Sequence, residues 1–180
     1  MDGILRTRVG YAGGTSLDPT YRTIGDHSEC IQVDFDPAAV TYPELLTEFF
    51  AIHDPSRPAH RRQYASAVFY SNDAQRQAAE EIMETLTPRF GRPLQTRVEP
   101  LDAFYNAEDY HQKYALRANP VLNAEIQERY RTQVDLRDST LAARLNGYAY
   151  GGADRVLLDR EIESYSLSAA AEAHLRDLVR

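Results

Sequence analysis

The sequence predicts an α/β (α+β) protein, with helices packed on one mixed sheet. Three observations lead to this. The segment ECIQVDFD alternates with a period of two, placing Glu29, Ile31, Val33 and Phe35 on one face and Cys30, Gln32, Asp34 and Asp36 on the other. Leu45, Leu46, Phe49 and Phe50 recur at helical spacing. Strand-like and helix-like segments then follow each other along the chain.

Residues 4–11 (ILRTRVGY) read as a first strand ending in the glycine turn GYAGG. The segment 29–36 is the second strand. Thr41 with Glu44 three residues later forms a capping box ahead of the first helix, which HDPSRP breaks. YASAVFYS is a third strand. Ser71 or Asn72 then caps a helix carrying Ala78, Ile82 and Leu86 on one side, expected to stop at Pro88. LQTRVEP is a further strand, and residues 101–120 read as half loop and half short helix. Residues 121–133 look helical, a turn is expected at Gly147, Gly151 and Gly152, and a last helix carries Ala171, Leu175 and Leu178 on one side. The first strand runs into the second with no helix before it to cover the sheet. A domain over 1–153 and a helical extension over 154–180 are expected.

Composition narrows the function. The 180 residues are 43% apolar and 26% charged, an ordinary globular balance. A net charge of -7 with no basic run argues against a general grip on nucleic acid. Apolar runs fall far short of the ~20 residues that cross a bilayer. No basic segment precedes an apolar one at the start, so a cytoplasmic protein is expected. Cys30 is the one cysteine, which excludes an intrachain disulfide and a cysteine-rich zinc site.

Glu29 is the most informative residue. Its parity with Ile31, Val33 and Phe35 places it on the apolar side, where burial would favour the protonated carboxyl and suit it to general-acid work. The competing reading is a carboxylate at the strand's rim, paired with an arginine. Cys30 points to the opposite face from Glu29 and is read as packing. DHSE begins like the zinc-deaminase signature, but the later Pro-Cys-x-x-Cys is absent. His53, His60, His111 and His174 show no ligand spacing, so no metal is expected. There is no Gly-x-Ser-x-Gly elbow, no Gly-x-Gly-x-x-Gly and no phosphate loop. Twelve tyrosines, among them Tyr11, Tyr21, Tyr64, Tyr105, Tyr110 and Tyr114, could line a pocket or sit half-buried at rims. A hydrolase pairing Glu29 with Asp54 or Asp109 is a weak competitor, since nothing fixes the second group.

VGYAGG, DPTY, HSE, VDFDP, YPELL.EFF, HDP, RQYASAV.Y and FYNAEDYHQKY occur here in an order that resembles the A-type peptide-methionine (S)-S-oxide reductases (MsrA). The likeness covers about residues 2–120, and LRDSTLAARLNGYAYGG resembles an extension of one branch. The resemblance implies a two-layer α/β sandwich around a mixed sheet with a ferredoxin-like core. It implies reduction of methionine-(S)-sulfoxide, free or in proteins, by a cysteine that attacks the sulfoxide sulfur. It assigns the acid to Glu29 and the oxygen-holding phenols to Tyr21 and Tyr64. The cysteine sulfenic acid would be reduced by an external thiol, thioredoxin or a dithiol, with no bound cofactor.

Two departures stand out. The family's Gly-Cys-Phe-Trp strand and the helix after it have no counterpart before Asp2-Gly3-Ile4, and the resolving cysteines of many members are absent. An aspartate carried by the family in a longer loop (QGND.GTQYRS) has no match in HDPSRPAHRRQYAS. The expectation is therefore an N-terminally incomplete reductase-like chain, inactive as it stands because its nucleophile, cysteine or selenocysteine, lies upstream. The alternative is an inactive truncated paralogue, or a binding module for oxidised methionine.

Overall fold

The computed structural model describes residues 1–151 and 155–179. Gly152 of the expected turn and the expected boundary at 153–154 lie outside them. The chain divides into two compact units. One comprises Val9–Ile31 and Asp36–Ala107. The other comprises Met1–Arg8, Gln32–Phe35 and the described residues from Glu108 onward.

Strands β1 (Ile4–Ala12) and β2 (Ser28–Phe35) form where the alternation predicts them. The strands expected in one mixed sheet are shared between two small sheets among the described residues. One has the order β2-β1-β5, and the other pairs β3 (Ala67–Tyr70) with β4 (Arg97–Pro100) in parallel. Strand β5 (Phe104–Asn106) corrects the expectation of a loop there. It lies antiparallel to β1, with Tyr105 opposite Tyr11. Gly10 makes that approach possible, since a Cβ there would lie 2.3 Å from the Tyr105 carbonyl oxygen.

In the first unit, α1 (Tyr42–Ala51) starts at the predicted capping box: Thr41 accepts from the Glu44 amide, and the Glu44 side chain accepts from the Thr41 amide. Asn72 caps α2 (Asp73–Phe90). This helix runs through Pro88, where the sequence suggested a stop. Proline there removes one amide bond in the last turn, and the chain leaves the helix only at Gly91, in the left-handed conformation at φ 63°. Leu46 and Phe50 of α1 pack with Val68 of β3 and Ala79 of α2, joined by Ile82, Leu86 and Val98. This is the crossover arrangement a parallel strand pair requires.

The second unit is mostly helical: α3 (Tyr114–Ala118), α4 (Pro120–Arg129), α5 (Gln133–Arg137), α6 (Thr140–Tyr150), α7 (Arg155–Glu161) and α8 (Ala169–Leu178). The helix expected over 121–133 is thus α4 and the start of α5, interrupted at Tyr130–Thr132. Gly147 lies inside α6 rather than in a turn, and Gly151 ends that helix at φ 94°. Leu116, Leu122, Ile126, Leu145, Leu158 and Leu175 share one core, so α8 packs with the helices before it. Ala171 and Leu175 face inward as expected, whereas Leu178 is exposed.

A charged cluster ties the strand segments of this unit to α5. Arg8 donates to Asp138 at 2.7 Å, to Gln32 at 3.0 Å and to Asp34 at 3.2 Å. Arg137 adds two bonds to Asp138 at 3.0 Å. Hydrogen bonds from Arg137, then those from Arg8, hold the Asp138 carboxyl far below the usual carboxylate range. Lys113, only 4% exposed, turns at φ 55° and donates from Nζ to the Thr7 carbonyl and, at 3.0 Å, to its hydroxyl. Burial lowers the Lys113 ammonium to about 8.

Two outcomes are expected. Carbon NMR of the Lys113 side chain places its titration near 8; a midpoint at 10.5 would contradict the burial. The unfolded chain keeps that proton to about 10.5 and the folded chain loses it near 8, so this group's contribution to stability rises with pH between the two, by at most on the order of 3 kcal/mol. Comparing Lys113→Met with the parent across that window isolates it. Leu145→Ala, at a fully buried side chain, lowers stability by about 2–5 kcal/mol in denaturant unfolding.

Candidate functional site

Tyr21, Glu29 and Tyr64 all belong to the first unit and come together there. Tyr21 sits in a short turn where the Thr23 amide donates to the Thr20 carbonyl and the two threonine hydroxyls lie 2.8 Å apart. Tyr64 ends the 3-10 turn Arg62–Tyr64. The two phenols are hydrogen-bonded to each other. That bond, then the charge of Tyr64 and of Glu29, raises the Tyr21 phenol above its ordinary value. Gln63, between Arg62 and Tyr64, donates to Oε1 of Glu29 at 2.6 Å.

The site is open. Tyr21 is 43% exposed and Tyr64 57%, and Glu29 is exposed as well. This corrects the expectation that Glu29 points to a buried apolar side. Ile31, which shares its face, is 58% exposed, while Ser28 on the other face is buried. Alternation shows which residues share a face; it does not show which face other elements cover. The burial argument for a protonated Glu29 therefore fails. The rim reading comes closer, with Gln63 as partner instead of an arginine.

Cys30 is a free thiol on the more covered side of β2. Burial pushes it up to about 12, so almost no thiolate exists near neutral pH. Asp54 is a turn staple: its carboxylate accepts from Ser56 at 2.5 Å and from Arg57 and Arg92 at 3.1 Å. Those bonds, Ser56 first, lower its carboxyl. His27, buried beside β2, accepts the Gly14 amide at Nδ1 and donates from Nε2 to the Ser16 carbonyl at 2.8 Å, so both its nitrogens serve the loop. Among the described residues no group of three His, Cys, Asp or Glu side chains is placed to hold a metal ion. Tyr11 is buried in β1 and Tyr105 lies in β5, whereas Tyr110 and Tyr114 are exposed in the other unit.

Sequence reasoning missed Arg62 and Gln63. Arg62 donates from Nε to the Asp26 carbonyl at 2.6 Å, and from Nη2 to the Gly13 carbonyl and to Glu99 at 3.1 Å. Its own carbonyl accepts from the Ser28 hydroxyl at 2.7 Å. Only adjacency to Tyr64 in RRQY could have marked the pair.

The fold and this constellation define a class: an α/β protein in which one carboxyl group and two phenols meet at an exposed site. The profile of the family described as peptide methionine sulfoxide reductase matches residues 1–141, and the chain belongs to that family. It is 39% identical over 155 residues to peptide methionine sulfoxide reductase A5 of Oryza sativa subsp. japonica, covering 83% of this chain and 60% of that one. It is 43% identical over 131 residues to peptide methionine sulfoxide reductase MsrA of Methanothermobacter thermautotrophicus, covering 67% and 77%. Methionine sulfoxide reductase A of Corynebacterium diphtheriae superposes with a TM-score of 0.61 at 34% identity, over 66% of each chain. The chain thus spans about 60% of the length of the rice relative. No helix among the described residues is long and apolar enough to cross a membrane.

The half-buried Cys30 thiol, held protonated, predicts slow chemistry. Iodoacetamide at pH 7.5 is expected to label Cys30 of the native chain at least ~10-fold more slowly than the same chain in denaturant. Equal rates would show that the thiol is not protected.

Proposed function

We propose that this chain carries the sulfoxide-holding half of a methionine-(S)-sulfoxide reductase site, acting on free or protein-bound methionine sulfoxide. The observation that carries the reading is the meeting of Glu29, Tyr21 and Tyr64 at one open site of the first unit. A phenolic O–H suits the sulfoxide oxygen, which is a strong acceptor with no proton to offer, and the second phenol becomes a donor to it once the bond between Tyr21 and Tyr64 gives way. Glu29, open to solvent beside the two phenols, passes a proton drawn from water to that oxygen as negative charge builds on it.

In the family's chemistry a thiolate attacks the sulfoxide sulfur. With the oxygen protonated, an S–S bond forms. The oxygen then passes to the cysteine sulfur as the S–O bond of the sulfoxide and the new S–S bond break, so methionine leaves and the cysteine is left as a sulfenic acid. An external dithiol, of the thioredoxin type in the cell, reduces that acid to thiol and water and becomes a disulfide itself. No bound cofactor enters this scheme.

Cys30 is unsuited to the attack. It is held as a thiol, and it leaves β2 on the face opposite Glu29. On this reading the 180 residues alone are inactive, and the attacking cysteine or selenocysteine is supplied from outside them. The same observation favours the second reading, a binding module or inactive paralogue that recognises oxidised methionine without reducing it. On either reading we assign the reductase-like domain to 1–153 and take 154–180 as a helical extension of it.

With dithiothreitol and racemic methionine sulfoxide, the 180-residue chain is expected to form no methionine. The same chain carrying a family Gly-Cys-Phe-Trp segment ahead of Asp2 is expected to consume the S epimer only. Glu29→Gln then lowers that rate ~10²-fold or more, and Cys30→Ser leaves it unchanged. Turnover by the 180 residues that Cys30→Ser abolishes would refute the reading, and failure of the extended chain to turn over would favour the binding module.

A further inference from the structure

The 3-10 turn Arg62–Tyr64 is three residues long and has no side-chain cap. Its own bonds run from the Tyr64 amide to the Arg61 carbonyl at 3.1 Å and from the Ala65 amide to the Arg62 carbonyl at 3.0 Å. So short a turn does not hold its shape unaided. Its geometry comes from residue 62. The guanidinium reaches the Gly13 carbonyl after β1, the Asp26 carbonyl before β2 and the Glu99 carboxylate on β4. The Arg62 carbonyl is held by Ser28, whose hydroxyl also accepts from Arg97 at 3.0 Å. Arg97 occupies the other oxygen of Glu99 at 2.8 Å. Each oxygen of Glu99 thus receives one arginine.

With residue 62 fixed on both its main chain and its side chain, the next two residues have set places. Gln63 meets Glu29 and Tyr64 meets Tyr21. A carboxylate oxygen only accepts, so the amide nitrogen of Gln63 must face it. The bond commits Oε1 of Glu29. A proton carried by Glu29 then belongs on Oε2, which is also the oxygen left for a ligand.

We propose that Arg62 and Gln63 are positioning residues for Glu29. Arg62 locks the turn, and Gln63 selects the carboxylate oxygen that faces the sulfoxide. The proposal rests on the functional reading above for the identity of the ligand, but not for the geometry. Lysine cannot replace Arg62, because one ammonium lacks the planar fork that spans two carbonyls and a carboxylate. Asparagine at 63 is one methylene short of Glu29.

The test uses the 180-residue chain and the proton–nitrogen spectrum of its side-chain amides. One Gln63 amide proton is expected well downfield of its partner, and Glu29→Ala, at an exposed position, is expected to return it to the solvent-exposed position. Arg62→Lys is expected to do the same while the circular dichroism spectrum stays unchanged, a combination that a merely structural role would not produce. Equivalent Gln63 protons indifferent to Glu29→Ala would overturn the role of Gln63, and an Arg62→Lys spectrum like the parent's would overturn that of Arg62. A titration with N-acetyl-methionine-(S)-sulfoxide separates this from the functional reading. Perturbation at Tyr21 and Tyr64 is expected, with affinity ~10-fold weaker in Gln63→Ala. A downfield Gln63 proton without any sulfoxide perturbation would sink the functional reading and leave the positioning pair standing. Equal affinity in Gln63→Ala would remove Gln63 from ligand recognition.

Discussion

The placement of the turn that carries Gln63 and Tyr64 depends on one guanidinium. Arg62 is bonded to the Gly13 and Asp26 carbonyls and to Glu99, groups lying 49, 36 and 37 positions away in sequence. The two small sheets of the chain share no ladder among the described residues, so side chains must bridge their strands. Charge-assisted bonds to a forked donor do this with directional control that packing alone lacks. Glycine at 13 is part of the same join. Its φ is +77°, and a Cβ there would lie 2.4 Å from the Phe69 ring, so no larger residue could offer its carbonyl in that place.

Polar anchoring also governs the loop before β2. Asp26 accepts from the Thr15 amide and hydroxyl, and the bonds from Thr15 lower its carboxyl to about 2. His27 fastens Gly14 and Ser16. Neither side chain is spare for chemistry. The loop holds its shape by using them, and that leaves Glu29 as the first acidic group of β2 available to a ligand. The local sequence DHSE therefore divides cleanly: Asp26, His27 and Ser28 build, and Glu29 is displayed.

Much of this was legible in the sequence, for local reasons. The capping box at Thr41 and Glu44, the alternation of β2 and the apolar side of α2 all arise within a few residues, where pattern reading is strong. The motifs also brought Tyr21, Glu29 and Tyr64 forward together. What was missed is non-local. The face of β2 that is covered depends on what packs against it, and Ile31 misled by being apolar and exposed. Strand β5 is only three residues long and exists through pairing with β1, so its own alternation is too short to detect. Arg62 looks like any surface arginine until chain segments far apart in sequence are brought around it.

The position of Cys30 has a practical consequence. Its sulfur is the one thiol in the 180 residues, and it is half-buried and held protonated. Any cysteine introduced on the open face would then be the sole fast-reacting thiol in the chain. Spin labels, fluorophores or disulfide probes could be set one at a time around Glu29 and Tyr64 with no background substitution. The distances between such probes, and from each to any bound ligand, could then be mapped in the native protein one position at a time.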